Sequence, residues 1–135
     1  MPSAFKTLSI LIVALIVAGC SSASAEKERQ LTLLANTRAN LLASKLPLEA
    51  GPLSIMRASS NGSTVEIMMV YNADALGAKP ATQVINNSIN TYCTNADTKA
   101  NLEVGLSYRI KMRNSRGQLI ADEIVTHERC LNAKR

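Results

Sequence analysis

The sequence predicts an α+β domain in which helices pack a mainly antiparallel sheet of four to five strands, with one disulfide. Two observations carry this prediction. Apolar residues recur at helical spacing in two stretches. Each stretch is followed by alternating apolar and polar residues joined by a short turn, which is typical of a β-hairpin. The predicted order is helix, hairpin, helix, short helix, hairpin.

The first predicted helix begins at Glu26 and ends near Lys45–Leu46. Glu26 and Glu28 lie in its first turn, where negative charge is favourable, and Pro47 prevents its continuation. Leucines and one alanine recur at intervals of three, four and seven, which indicates an apolar face: Leu31, Leu34, Ala35, Leu41 and Leu42. We interpret this face mainly as core, with a separate partner-binding role as the alternative.

The first hairpin follows a break at Gly51-Pro52. Its first strand covers residues 53–58, and the alternation predicts that Leu53, Ile55 and Arg57 share one face. Residues 59–63 form the turn, with Asn61-Gly62 at its centre. The second strand covers residues 64–71, and one of its faces is predicted to carry Val65, Ile67, Met69 and Tyr71.

The second half repeats this order. A loop over residues 72–80 leads to a helix with an apolar stripe that ends near Cys93. Residues 95–105 are predicted to contain a short helix. Strict alternation from Leu106 to Arg113 predicts a strand, a turn follows over residues 114–117, and the last strand covers residues 118–126. Residues 127–130 close the domain, and residues 131–135 are predicted to be a polar tail.

The N-terminus predicts export and lipidation. Lys6 precedes an apolar run of about ten residues, as in a secretory signal peptide, and the run is shorter than the ~20 residues of a membrane-spanning helix. The run ends at Val17-Ala18-Gly19-Cys20, which resembles a bacterial lipobox. We therefore predict a cleaved signal at residues 1–19, a lipidated Cys20 with a tether to residue 28, and one domain over residues 29–135. An ordinary signal with an unmodified Cys20 is the alternative.

The two residues after Cys20 are serines, with no aspartate. In lipoproteins of two-membraned bacteria this resembles the pattern that is sorted to the outer membrane. Several acyl chains would give stable anchoring on its periplasmic face. The covalent lipid is the only attached group that the sequence predicts.

Composition and cysteine count narrow the function. The net charge is +5, but basic residues are dispersed and the sequence has no Trp, so we expect no nucleic-acid partner. With Cys20 lipidated, Cys93 and Cys130 remain as a disulfide pair in an oxidising compartment. A redox or metal pair is the alternative, but His127 alone is too little for a zinc site.

No catalytic constellation is visible. His127 is the only histidine, and the serines of the turns lack a nucleophile-elbow motif. Asp122 and Glu123 are adjacent in a predicted strand, so their side chains point to opposite faces. We therefore predict a protein that is not an enzyme and that holds no metal.

Several segments taken together resemble one known family, the alternative pilotins of type II secretion systems (GspS-beta or AspS-type outer-membrane lipoproteins). The segments are the lipobox cysteine, Ala43-Ser44-Lys45-Leu46-Pro47, the hairpin Ala58 to Val65, Tyr92-Cys93, Gly105 to Ile110, and Cys130. The resemblance spans essentially the whole chain after Cys20. The family's cysteine pair falls on Cys93 and Cys130, in agreement with the cysteine count.

The resemblance implies that the protein escorts a subunit of the secretion system to its membrane. Such pilotins bind the C-terminal segment of the secretin, the pore-forming subunit, and travel with it to the outer membrane through the lipoprotein-sorting machinery. The alternative is an outer-membrane lipoprotein of another kind, a structural or inhibitor-like binding module.

We predict the partner-binding surface on the sheet face opposite the helices, because methionines beside charges form adaptable surfaces. The predicted residues are Met56, Met68, Val70, Arg109 and Lys111. The alternative is that more of the chain covers this face and that the methionines are core.

Overall fold

The structure, a computed structural model, describes the backbone of residues 2–135 and the side chains of residues 22–135. The chain divides into two units, Met1–Gln30 and Leu31–Arg135. In the first unit, Arg29 pairs with Glu26 at 3.0 Å on the helix surface. Among the described residues, no helix combines the length and apolar character that a membrane span requires.

The elements follow the predicted α+β order, with a short strand added before the first hairpin and a short helix added after the last strand. Their bounds are α1 Pro2–Ala43, β1 Leu48–Ala50, β2 Leu53–Asn61, β3 Thr64–Tyr71, α2 Ala81–Thr94, α3 Ala96–Val104, β4 Ser107–Asn114, β5 Leu119–Val125 and α4 His127–Asn132. The five strands lie in the sheet in chain order.

Helix α1 differs from the prediction at both ends. It begins at Pro2 rather than Glu26, so the predicted tether residues are helical, and it ends at Ala43 rather than near Lys45–Leu46. The Lys45 N–H bonds to the Leu42 carbonyl and the Leu46 N–H to the Ala43 carbonyl, which converts the last turn into tighter turns before Pro47. The signal peptide and Cys20 lie outside the described side chains, so cleavage and lipidation stay predictions.

The first hairpin is longer than predicted. Strand β2 continues to Asn61, and the connection is Gly62-Ser63 rather than Asn61-Gly62. Gly62 has φ +57°, a conformation that residues with a Cβ adopt at a cost, so glycine suits the first position of this two-residue turn.

A bulge in β2 overturns one predicted face. Ile55 pairs with Met69, but the next pair is Arg57 with Met68, so Met56 is the extra residue. The bulge changes the alternation, and Ala58, rather than Arg57, continues the inward face begun by Ile55.

Strands β3 and β4 pair in parallel, whereas the other neighbouring strands are antiparallel. The parallel pair requires a crossover, which α2 and α3 supply. The predicted short helix is therefore α3. It begins with the Asn95 side chain accepting from the Asp97 and Thr98 N–H groups, and it ends at Gly105 with φ +115°. A Cβ at Gly105 would lie 3.2 Å from the side chain of Leu31, so the close packing of α1 also favours glycine.

One face of the sheet forms the core with the helices. The inward residues of β3 and β4, together with Val125 of β5, are at most 4% exposed: Val65, Ile67, Met69, Tyr71, Tyr108, Ile110, Met112 and Val125. The helices contribute Ala35 and Ala39 from α1, Cys93 from α2, Leu102 from α3 and Cys130 from α4 to the same cluster. The predicted inward face of β3 is therefore confirmed.

The C-terminus differs from the predicted polar tail, because α4 continues through Asn132. The Thr126 side chain accepts from the Arg129 N–H and caps this helix. Cys130 lies on α4 and bonds to Cys93 of α2, with 5.5 Å between their Cα atoms. The predicted disulfide is confirmed, and it links two helices of the covered face.

Candidate functional site

An apolar groove lies between the helices on the covered face of the sheet. Its volume is about 580 Å³, and its floor includes Ile55 of β2, Ile67 and Met69 of β3 and Tyr108 of β4. The same alternation that makes these residues inward-facing therefore supplies the floor of the groove.

One wall of the groove, the α1 wall, is the end of α1 and the turn that follows it. Arg38, Leu41 and Leu42 line it at helical intervals of three and four, and Lys45 lines it from the turn after the helix. Ala35 and Ala39 are buried against the core on the same helix, but Leu41 remains 50% exposed. The wall therefore presents apolar surface that the folded domain does not cover.

The opposite wall comes from α2 and α3 and is more polar. Thr91 and Tyr92 lie on α2, and Asp97, Thr98 and Asn101 lie on α3. The Thr98 hydroxyl donates to the Tyr92 carbonyl at 2.7 Å, which joins the end of α2 to the start of α3. This wall is therefore held by a hydrogen bond across the junction of the two helices.

Two tyrosines meet inside the groove. The rings of Tyr92 and Tyr108 have centroids 5.0 Å apart and are tilted by 51°. The Asn101 amide, only 7% exposed, donates to the Tyr108 hydroxyl at 2.8 Å. Tyr92 has no side-chain hydrogen bond among residues 22–135, and since no buried polar atom of this part is unsatisfied, its hydroxyl remains open to solvent.

Burial changes the ionisation of both rings. Desolvation raises the pKa of Tyr92 above its ordinary value, and Tyr108 raises it further. Burial also raises the pKa of Tyr108, while the Asn101 hydrogen bond and Arg38 oppose this shift. Both phenols are therefore neutral near pH 7 and can donate a hydrogen bond to a bound partner.

The predicted partner-binding residues lie on the opposite, open face of the sheet. Met68 pairs with Lys111 in the register, and Val70 is two residues along the same strand. Arg109 is two residues before Lys111 on β4. Met56 lies at the β2 bulge and is 46% exposed. The sheet thus brings Met68, Val70, Arg109 and Lys111 to one face, with Met56 exposed at the bulge, and the use of this face by a partner stays a prediction.

Two of the predicted residues on the open face, Arg109 and Lys111, form ion pairs with neighbouring strands. Arg109 donates through two nitrogens to both oxygens of Asp122, at 2.8 and 2.7 Å. Glu66 lies 3.7 Å from Arg109 and 3.6 Å from Lys111. The hydrogen bonds and charge of Arg109 hold the pKa of Asp122 below its usual range, and Asp122 raises the pKa of Arg109.

The residues considered for catalysis are separated. Asp122 faces the open side, whereas Glu123 pairs with Arg129 at 2.8 Å. His127 begins α4. Within residues 22–135, no cluster of three or more His, Cys, Asp or Glu side chains is arranged to hold a metal ion.

The sequence prediction placed the partner surface on the open face and gave the apolar stripe of α1 a binding role only as the alternative. The clearest signal of the groove was available at the end of α1, where Arg38 on the helix and Lys45 just after it flank Leu41 and Leu42. Such a face suits a core, but charges at both ends indicate an accessible surface as well.

Comparison with known proteins identifies the family. The family of the type II secretion system (T2SS) pilotin, S protein, matches residues 27–130. A search of curated protein sequences finds no matching relative.

Two solved structures are similar in sequence and fold. The type II secretion system pilotin AspS from Vibrio cholerae is 59% identical, with a TM-score of 0.74 over 78% of this chain and 97% of that chain. The pilotin EpsS from the Vibrio vulnificus type 2 secretion system is 55% identical, with a TM-score of 0.74 over 78% of this chain and 96% of that chain.

A third structure shows that the fold extends to distant sequences. It is a secreted protein from Pseudomonas aeruginosa with 15% identity and a TM-score of 0.64, over 77% of this chain and 96% of that chain. The family match covers well over half of the chain and both close relatives are pilotins. The protein therefore belongs to the S-protein family of type II secretion system pilotins.

Proposed function

We propose that this protein is an outer-membrane pilotin that binds the C-terminal segment of a type II secretion secretin and escorts the subunit to the outer membrane. The observation that carries the proposal is the family match over residues 27–130, supported by two pilotin structures at 55% and 59% identity. The protein acts by binding, and no catalytic step is involved.

We further propose the groove as the site that holds the secretin segment. An amphipathic helix binds by placing its apolar face into an apolar groove. The floor formed by Ile55, Ile67 and Met69 supplies such a surface, and the half-exposed Leu41 extends it along the wall. A bound helix would remove this apolar surface from water, which is the main source of affinity in such complexes.

In this proposal the lipid on Cys20 determines the membrane to which the protein is delivered. The lipoprotein-sorting machinery recognises the acylated N-terminus and delivers the protein, with its bound secretin subunit, to the periplasmic face of the outer membrane. Binding and delivery therefore depend on different parts of the chain. No other cofactor is required.

Deletion of the gene followed by membrane fractionation tests the proposed function. We expect the secretin to be lost from the outer-membrane fraction, with its heat-resistant multimer reduced, and plasmid-borne protein to restore both. Secretin that reaches the outer membrane and assembles normally without this protein would contradict the proposal.

A titration separates the two candidate surfaces. The full chain in detergent is titrated with the labelled C-terminal segment of the secretin from the same genome. Leu41→Glu places a charge in the groove wall, and we expect affinity to fall by about 30-fold or more, because hot-spot contacts contribute about 2 kcal/mol or more. Leu33→Glu is the matched control, since Leu33 lies on the same helix, is 59% exposed and does not line the groove.

The open face is tested in the same titration. Met68→Glu combined with Val70→Glu puts charge on the surface that the sequence predicted. If the groove is the binding site, this variant keeps its affinity while Leu41→Glu loses it. The opposite pattern would transfer the site to the open face and leave the pilotin function intact.

Cys20→Ser tests the division between binding and delivery. We expect this variant to bind the secretin segment with unchanged affinity but to leave the secretin outside the outer membrane. Normal delivery by Cys20→Ser would contradict the role of the lipid.

A further inference from the structure

The two walls of the groove carry opposite charges. Arg38 and Lys45 lie on the α1 wall, and Asp97 lies on the opposite wall at the start of α3. Arg38 lies on α1, and Lys45 lies in the turn directly after the helix ends at Ala43. The α1 wall therefore carries two basic residues, one on the helix and one just beyond its end.

These charges are available for a partner. Within residues 22–135, neither Arg38 nor Lys45 forms an ion pair or a side-chain hydrogen bond, and both are exposed. The Asp97 carboxylate likewise has no ion pair in this part of the chain. Arg109 and Lys111 of the open face differ, because they already pair with Glu66 and Asp122.

The two charged walls lie on either side of the tyrosines. Arg38 lowers the pKa of the Tyr108 hydroxyl and Asp97 raises it, so both charges act on the same point of the groove floor. The groove therefore has a positive side and a negative side, with neutral phenols between them.

An amphipathic helix in this groove has two possible directions. With its apolar stripe on the floor, one flank of the helix faces α1 and the other faces α3. Reversing the direction of the helix keeps the apolar stripe on the floor but exchanges the flanks. The charges of the walls can therefore distinguish the two directions, whereas the apolar floor alone cannot.

We propose that the groove selects an amphipathic helix with an acidic flank and binds it in the one direction that places this flank against Arg38 and Lys45. This inference rests on the proposed function and specifies the chemistry of the segment that the groove accepts. The reversed helix would set its carboxylates beside Asp97, and like charges placed together oppose the wrong orientation.

Charge reversal on the α1 wall tests the acidic flank. The full chain carrying Arg38→Glu and Lys45→Glu is titrated with the C-terminal segment of the secretin from the same genome. We expect affinity to fall about tenfold at low salt, and the difference to shrink in 0.5 M salt because exposed charges are screened over a few ångströms there. Arg116→Glu with Lys134→Glu makes the same change in net charge away from the groove and serves as the control.

The outcomes separate this inference from the proposed function. Affinity that is unchanged by the wall charges, or reduced equally by the control, overturns the acidic flank while the pilotin function stands. Failure of the unmodified protein to bind overturns both. Circular dichroism verifies folding, and Arg38→Gln with Lys45→Gln provides a milder variant whose affinity should fall in the same direction.

Paramagnetic labelling tests the single direction. A spin label on one end of the secretin segment broadens NMR signals near that end of the groove. We expect broadening at one end of the groove only, either the Arg38 end or the Lys45 end. Exchanging the wall charges with Arg38→Glu, Lys45→Glu and Asp97→Lys should move the broadening to the other end. Equal broadening at both ends in the unmodified protein, or no movement after the exchange, would overturn the proposed selection of direction.

Discussion

The covered and open faces of the sheet come from the same strands but differ in what they leave open to a partner. On β3, Ile67 faces the helices and is 1% exposed, whereas its neighbour Glu66 faces the open side and pairs with two cations. The covered face retains an apolar groove, and the charges on its walls form no ion pair among residues 22–135. The open face has already paired Arg109 and Lys111 with carboxylates.

This difference affects which face offers a partner more binding free energy. A partner that binds the open face must replace ion pairs that already exist. Because partly exposed ion pairs are weak, exchanging them for ion pairs to the partner adds little to the affinity. A partner in the groove covers apolar surface that the folded protein leaves open. The comparison of the two faces therefore favours the groove as the binding site. Each of the following predictions tests a difference between the two faces.

The disulfide is expected to have the largest effect, because it links α2 and α4 in the helix layer. Cys93→Ala with Cys130→Ala should lower the free energy of unfolding by about 4 kcal/mol, since the bond closes a long loop in the unfolded chain. The sequence separation of the two cysteines is 37 residues. Urea unfolding of the variant and of the unmodified protein, with and without reductant, measures this value. A difference below about 1 kcal/mol would mean that packing alone holds the helix layer together.

Neighbouring residues of β3 compare the two faces directly. Ile67→Ala should lower the free energy of unfolding by about 3 kcal/mol, because it leaves a cavity in the core. Met68→Ala should cost less than about 1 kcal/mol, because Met68 faces the open side and is only partly buried. Urea denaturation measures both variants. Equal costs would indicate that something also covers the open face.

The hydrogen bond between Asn101 and Tyr108 tests the polar part of the groove. Tyr108→Phe removes the acceptor of the buried Asn101 amide, and the free energy of unfolding should fall by about 2 kcal/mol, the cost of an unsatisfied buried donor. Tyr92→Phe is the control, because the Tyr92 hydroxyl has no side-chain partner among the described residues. Thermal unfolding followed by circular dichroism distinguishes the two. A larger loss from Tyr92→Phe would contradict the assigned roles.

Removing an ion pair of the open face should have the smallest effect on the free energy of unfolding. The pH dependence of that effect shows whether it comes from the ion pair. The pKa of Asp122 is lowered in the folded protein, so its contribution to stability is present above the unfolded pKa and is lost as the pH falls through the folded pKa. Asp122→Asn should therefore destabilise the protein slightly at pH 7 and not at all in strong acid. Asp74→Asn, in the exposed loop before α2, is the control. A stability difference that persists unchanged in acid would rule out the ion pair as its origin.

Much of the fold could be predicted because the spacing of apolar residues along the chain indicates where helices and strands lie. Strict alternation identified β3 and β4, with their inward faces, and helical spacing identified α1 and α2. The disulfide followed from a cysteine count, since lipidation of Cys20 would leave Cys93 and Cys130 as the remaining pair. Residue patterns also made the family recognisable.

Other features depend on contacts between distant residues. Strand β1 is three exposed residues without alternation, and it forms a strand only because the edge of β2 is free to pair with it. The bulge at Met56 changes the alternation of β2, and no residue type at that position marks it. The parallel pairing of β3 with β4 follows from the crossover through α2 and α3.

Local patterns in the sequence were sufficient to identify the apolar residues, the inward side of β3 and β4 and the cysteines that can pair, because each of these depends on residue types and their spacing. Only the tertiary structure decided that Leu41 lines an open groove while Ala35 and Ala39 are buried on the same helix. An apolar stripe predicts that a helix face is favourably buried. Whether the protein's own fold buries that face depends on how the helices are spaced above the sheet.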